Sequence, residues 1–224
     1  MTRFDGLAAL SCFLCLALGT TLSFGEDESQ EPPLTYEVKL DDQTVSYREG
    51  ETAEIPGMFT NPKVTITPHP DRVFPYHEMR FKYPRVFGFE AALANPQSKH
   101  WTLSGNHVKI MIFVLPKGVT TARYAEILLG NFDRKKSRIT NANAEITLGT
   151  ETLKGTLMQI ELGSSKLAMD TYQVPTNGPY TTLFVFQDNL DKDGNHSKEY
   201  REALAGMKTS FALTSSASAE SSAD

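Results

Sequence analysis

The chain has 224 residues, 40% hydrophobic and 22% charged, with a formal net charge of −5. This composition suits a globular chain that buries a core and excludes a disordered or collagen-like one. The acidic balance gives no electrostatic attraction for nucleic acid or anionic lipid. Both cysteines, Cys12 and Cys15, fall in the first 25 residues, so the rest of the chain can hold neither a thiol nucleophile nor a cysteine-bound zinc or iron–sulfur cluster.

In chain order, residues 1–25 read as a signal peptide. Arg3 precedes an apolar run from Leu7 to Leu22, and the small residues Ser23 and Gly25 stand before an acidic stretch. Cleavage is expected after Gly25, which places the mature chain in a periplasm or outside the cell with no membrane span left. Two alternatives stay open: retention as an anchor, since the run approaches the roughly 20 residues that cross a bilayer, and lipid attachment at Cys12, because Ala9-Leu10-Ser11-Cys12 loosely matches a lipobox. Cleavage removes one base (Arg3) and one acid (Asp5), so the net charge stays at −5.

Residues 26–34, EDESQEPPL, read as an exposed acidic linker. Residues 35–75 are expected to form an N-terminal β arm. Alternation in TYEVKL and TVSYRE around Asp41-Asp42-Gln43 predicts a hairpin. The prolines at 56, 62, 68, 70 and 75 then leave room for a short edge strand at Lys63 to Thr67. Residues 76–213 form the main domain. Strands are predicted at Met79 to Tyr83, Phe87 to Ala91 and His100 to Leu103, followed by His107 to Leu115. There VKIMIFVL is apolar on both faces apart from Lys109 and is expected to be covered on both. A helix is predicted over Thr120 to Lys136, with a threonine cap and with Tyr124, Ile127, Leu128 and Phe132 on one face. The basic group from Asp133 to Arg138 suits the negative end of its dipole, with docking of an acidic partner as the alternative. Strands follow at Ala144 to Leu148, Leu153 to Leu162, Lys166 to Val174 and Tyr180 to Gln187. The last helix, Ser197 to Phe211, places Tyr200, Ala203, Leu204, Met207 and Phe211 on one face. Residues 214–224 read as a disordered polar tail, and there is no internal repeat.

Several motifs together resemble the PsbP/DcrB-like family over residues 79–213: Phe81-Lys82-Tyr83-Pro84 with Phe87-Gly88-Phe89, Trp101-Thr102-Leu103-Ser104-Gly105, the helix around Tyr124, Ile146-Thr147-Leu148-Gly149 with Gly155, and a terminal helix ending in Ser210-Phe211. The resemblance implies an α/β/α sandwich. The fold class expected is therefore α+β, a mainly antiparallel sheet with flanking helices, preceded by the hairpin arm. It implies binding and assembly roles and no particular chemistry.

A search for chemistry yields little. His77-Glu78-Met79-Arg80-Phe81 begins like a zinc-protease HExxH, but Phe81 stands where the second ligand belongs. The five histidines, at 69, 77, 100, 107 and 196, show no ligand spacing, although His100 and His107 flank a hairpin and could be neighbours. There is no GxSxG elbow and no glycine-rich phosphate loop. Ser104 with His107 is a candidate nucleophile and base if an acid joins them. Trp101 reads as core packing, with ligand stacking as the alternative, and Met158 and Met169 read as core filler. Asn189, Asp191, Asp193 and Gly194 match the first half of an EF-hand loop. The second half fails, with His196 at position 8 and Tyr200 where the bidentate Glu belongs. The loop is thus a strand-to-helix turn, with weak calcium binding at Asp191 and Asp193 as the alternative. Asn195-His196-Ser197 is a glycosylation sequon.

The expected function is an exported, non-enzymatic binding or assembly protein of the cell envelope, with another envelope protein as its partner and no cofactor. The alternatives are a small secreted hydrolase using Ser104 and His107, and a weak calcium-binding module. Neither the oligomeric state nor the identity of the partner follows from the sequence.

Overall fold

The computed structural model describes residues 27–214 apart from positions 53, 58, 96, 131–136 and 177. The expected signal peptide, nearly all of the expected tail and residues 133–136 of the basic group lie outside the described residues. Thirteen strands and two helices are present among those described.

The first three strands, β1 (Thr35–Leu40), β2 (Gln43–Arg48) and β3 (Val64–Pro68), form a separate antiparallel sheet in the order β2-β1-β3. Asp41 takes the left-handed turn conformation at φ 51°, which lets the hairpin close with Leu40 opposite Gln43. β4 (Asp71–Phe74), which sequence reasoning missed among the prolines, pairs with β5 (Met79–Pro84). With β13 (Ala212–Leu213) these make a second small sheet in the order β13-β5-β4.

The main sheet has seven strands: β6 (Gly88–Ala92), β7 (Lys99–Ser104), β8 (Val108–Pro116), β9 (Ser137–Leu148), β10 (Glu151–Leu162), β11 (Ser165–Val174) and β12 (Tyr180–Leu190). Their order is β6-β7-β8-β12-β11-β10-β9, and every pairing is antiparallel. After β8 the chain crosses to the far edge through α1 (Thr121–Leu129), then returns strand by strand until β12 pairs with β8. α2 (Lys198–Ser210) follows β12.

The α/β/α sandwich expected from the sequence does not form. Seven strands at ~4.8 Å span ~29 Å of sheet, whereas a nine-residue helix is only ~14 Å long and ~10 Å wide. α1 therefore shields one part of its face and makes no layer. It packs Tyr124, Leu128 and Leu129 beside Met158, Ile160, Leu183 and Val185. It also ends earlier than the periodicity suggests: the Gly130 N–H donates to the carbonyls of Glu126, Ile127 and Leu128, and Ile127, expected on the packed face, is 53% exposed. Along β8 one face is buried at Val108, Ile110, Ile112 and Val114, while Met111, Phe113 and Leu115 on the other are half-buried.

The first face carries the principal core. Trp101, Leu103, Ile110, Ile112, Phe184 and Phe186 meet Phe74, Phe81 and Tyr83 of the small sheet and Tyr200, Met207 and Phe211 of the α2 segment. Rings interlock across this boundary, with Phe74 edge-on to Trp101 at 5.8 Å and Phe81 edge-on to Phe184 at 5.3 Å. So this face is covered by a three-stranded sheet and one helix together. Gly149 fixes the α2 end of the assembly. At φ 55° it brings its backbone so close that a Cβ would lie 2.0 Å from the Phe211 carbonyl oxygen, and its N–H donates to Lys208 O.

Candidate functional site

The residues first suspected of chemistry do not assemble. His100 pairs with Phe113 and lies tilted against its ring at 5.3 Å, while His107 sits in the β7–β8 turn. His107 lies six residues along the chain from Phe113, ~20 Å at strand rise, so the two histidines are not neighbours. No hydrogen bond joins the Ser104 and His107 side chains. The carboxylate beside them, Glu199 in the first turn of α2, accepts from the backbone N–H groups of Asn106, His107 and Val108 at 3.1, 2.7 and 3.3 Å. That carboxylate clamps a hairpin to a helix and orients no imidazole.

The DNLDKDGN loop folds as a closed turn. Asp191 Oδ1 accepts from the N–H groups of Asp193 and Asn195, and Oδ2 from the Asn195 side-chain amide. These bonds, those from Asn195 foremost, hold the Asp191 carboxyl below its ordinary pKa. Gly194 takes φ 85°, and Lys166 Nζ donates to the Lys192 carbonyl 2.9 Å away. Both Asp191 carboxylate oxygens are thus engaged by N–H donors, and an ammonium group sits against the loop backbone. Ser197 caps α2 by accepting from Tyr200 N.

Behind this loop lies a polar cluster that sequence reasoning missed. Asp188 on β12 is fully buried, and its Oδ2 accepts from His196 Nδ1 and Ser197 N, both at 2.9 Å. Its Oδ1 is buried without a hydrogen-bond partner. Asp170 on β11 accepts from the Tyr200 hydroxyl at 2.9 Å, and the His196 ring stacks on Tyr200 at 4.0 Å. Burial pushes the Asp170 carboxyl up, against the Tyr200 hydrogen bond and the nearby His196, which pull it down. The signal was present: Asp170 alternates with Ala168 and Tyr172, and Asp188 with Phe184 and Phe186, on the core face of their strands.

A second constellation lies where the chain enters the main body. Residues 27–34, read above as an exposed linker, run along a row of side-chain donors. Trp101 Nε1 donates to Glu28 O at 2.7 Å, the Tyr76 hydroxyl to Gln30 O at 2.7 Å, and Arg72 Nη1 to Pro32 O. Alternate carbonyls are thus taken, two of them from a turn at residues 27–30 that Gln30 N closes by donating to Asp27 O at 2.9 Å. Arg72 Nη2 also pairs with Glu31 at 3.2 Å, although the Glu31 side chain stays 41% exposed. Trp101 is fully buried and Tyr76 is stacked over it, so one residue fills the core and holds the backbone of Glu28. Next to this row, His77 and Glu78 hold consecutive left-handed conformations at φ 54° and 59°. His77 Nε2 shares a 2.9 Å hydrogen bond with Thr182 Oγ1, and burial pushes the imidazole pKa down. No helix forms here, so the HExxF segment has no zinc geometry.

The arm supplies a third feature. Register places Tyr36, Val38, Val45, Tyr47, Val64 and Ile66 on one face of its sheet, while Glu37, Lys39, Thr44, Ser46, Thr65 and Thr67 share the other. The apolar face is incompletely covered. Val64 is 55% and Ile66 62% exposed, and a groove of about 520 Å³ runs between Tyr36, Val38, Tyr47, Ile55 and Ile66.

Compared with known proteins, the chain matches no family model, and no curated protein matches its sequence.

Proposed function

We propose that this chain is an exported, non-enzymatic binding or assembly protein of the cell envelope, and that its arm docks another envelope protein. The observation that carries the reading is the open apolar face of the β1–β2–β3 sheet. A three-stranded sheet gains stability by burying one face, and here two β-branched side chains on that face remain more than half exposed. Residues 26–55 carry ten acidic and two basic side chains. The partner is therefore a segment whose apolar residues are flanked by basic ones, because charge complementarity steers and registers such contacts. The export signal and the PsbP/DcrB-like resemblance over residues 79–213 support the same role, although the sandwich that the resemblance implies does not form.

Ile66→Asp, a substitution at an exposed position, tests this. The wild-type chain is expected to retain a defined envelope partner in a salt-sensitive manner, and Ile66→Asp is expected to lose that partner while keeping its circular dichroism spectrum. Retention of the same partner by Ile66→Asp overturns the docking role. N-terminal sequencing of the exported chain is expected to begin at Glu26.

A further inference from the structure

We infer that the donor-lined groove now holding residues 27–34 is a peptide-binding site, and that it accepts from a partner protein an acidic, proline-containing segment in place of the chain's own. The groove belongs to the main body, so the inference stands independently of the arm.

Three observations carry it. First, Trp101, Tyr76 and Arg72 bind carbonyls at alternate residues. This is recognition of main-chain carbonyls, which is indifferent to which chain supplies the backbone. Second, the groove selects composition at two points: Pro32 is buried, and Arg72 faces a carboxylate. A guanidinium offers a planar fork to carboxylates. Third, the resident segment leaves donors unused. Arg72 Nε and the Tyr83 hydroxyl are buried without hydrogen-bond partners, although the two residues face each other across β4 and β5. Tyr83 is fully buried, and its hydroxyl lies within electrostatic reach of Arg72, Glu31 and Tyr76. Buried donors are nearly always paired in native proteins. Glu31 meets only one Arg72 nitrogen and stays partly in solvent, so a carboxylate seated deeper would satisfy both orphans.

The resident segment has the advantage of being tethered. A short covalent connection gives it an effective concentration in the millimolar range, so a free peptide of the same sequence competes poorly with an intact segment. Loosening the segment should expose the site.

The experiment uses the full chain with Glu31→Ala and Pro32→Gly, and a fluorescent synthetic peptide of residues 26–34, EDESQEPPL. Binding is read by anisotropy and by the emission of Trp101, the only tryptophan. The peptide is expected to bind the loosened chain at least tenfold more tightly than the wild type and to reverse a red shift in Trp101 emission. Adding Arg72→Ala is expected to abolish binding. Arg72→Lys, which keeps the charge and loses the fork, is expected to weaken it at least tenfold should the alanine variant fail to fold. A peptide carrying Glu31→Lys is expected not to bind. A red-shifted, folded, loosened chain that binds no peptide overturns the inference, as does equal binding of the Glu31→Lys peptide. Dimerisation of the loosened chain in light scattering without peptide uptake would make the occupant a second copy and overturn it equally.

Discussion

Glu199 joins the β7–β8 hairpin to α2, and its removal has a calculable cost. Its carboxylate sits in the first turn of α2 and accepts from three successive backbone N–H groups of the β7–β8 turn. In Glu199→Ala the N–H groups of Asn106 and His107 lie at exposed positions and are rehydrated, so each loses about 0.5 kcal/mol, the low end for a hydrogen bond. Val108 is buried, and its N–H, left without a partner, costs about 1 kcal/mol. Loss of the acidic residue at the helix N-terminus adds about 0.5 kcal/mol. The total is about 2.5 kcal/mol, which lowers Tm by about 5–10 °C for a chain of this size. A Cβ at Gly105 would lie 2.6 Å from the Glu199 carboxylate carbon, so Gly105→Ala pushes the same group out of place. Differential scanning calorimetry of both single variants and the double variant is the assay. The double variant is expected to cost clearly less than the sum of the singles, because both remove one interaction. A Tm for Glu199→Ala within about 1 °C of wild type, or strict additivity, would refute the clamp.

The folded-state pKa of His77 is depressed by burial, so the unfolded chain binds more protons, and stability is expected to fall as pH drops through about 6.5. His77→Asn, which tolerates the left-handed backbone, should flatten Tm between pH 7.5 and 5.5; an unchanged slope would count against the assignment. Asp170 behaves oppositely. Its folded pKa is raised, so its stabilising protonated form is lost as pH rises from the ordinary aspartate value near 3.8 through the folded one. Asp170→Asn keeps an acceptor for Tyr200 and is expected to leave Tm at pH 7 unchanged or higher, whereas Asp170→Ala leaves the Tyr200 hydroxyl unpaired and is expected to cost about 1–3 kcal/mol. For the DNLDKDGN loop, millimolar calcium is expected to leave Tm unchanged, since Asp191 is already engaged; a rise of several degrees would show that these oxygens can be recruited.

Elements with a clean period were legible in the sequence. The arm hairpin turns at Asp41-Asp42 as its alternation required, and Tyr200, Ala203, Met207 and Phe211 are buried on the face where their spacing put them. Where polar residues dilute the period, the reading failed. β9 begins at Ser137, seven residues before the expected start, because SRITNANA shows no apolar alternation. It pairs residue for residue with β10 along an edge, a contact that periodicity does not record. β4 was hidden because Pro68, Pro70 and Pro75 surround it, yet only its own four residues need ladder positions. The layering failed for a different reason. Amphipathicity says that a helix has a covered face, but not how much of a seven-stranded sheet that helix covers in return. Asp188 was lost through a boundary: the reading stopped at Gln187, one residue short of a buried carboxylate on the same strand.

The groove around Trp101 was illegible in principle, and the cause lies in its chemistry. Its donors take carbonyl oxygens of residues 28, 30 and 32, so the side chains of the bound segment carry little trace of the contact, and an acidic, proline-bearing run reads as a linker whether or not it is held. The same continuity links the two surfaces. Two residues beyond Pro32, Leu34 N donates to Glu49 Oε2 and Glu49 N to Leu34 O, and His69 N donates to Thr35 O. The arm therefore begins where the groove ends. Its return is fixed separately, by Arg85 N on Pro70 O. An incoming segment that displaces residues 27–34 would release the arm at one end and leave it tied at the other. The groove and the apolar face are thus joined through a single stretch of backbone, and a change at one end of it acts on the first strand of the arm.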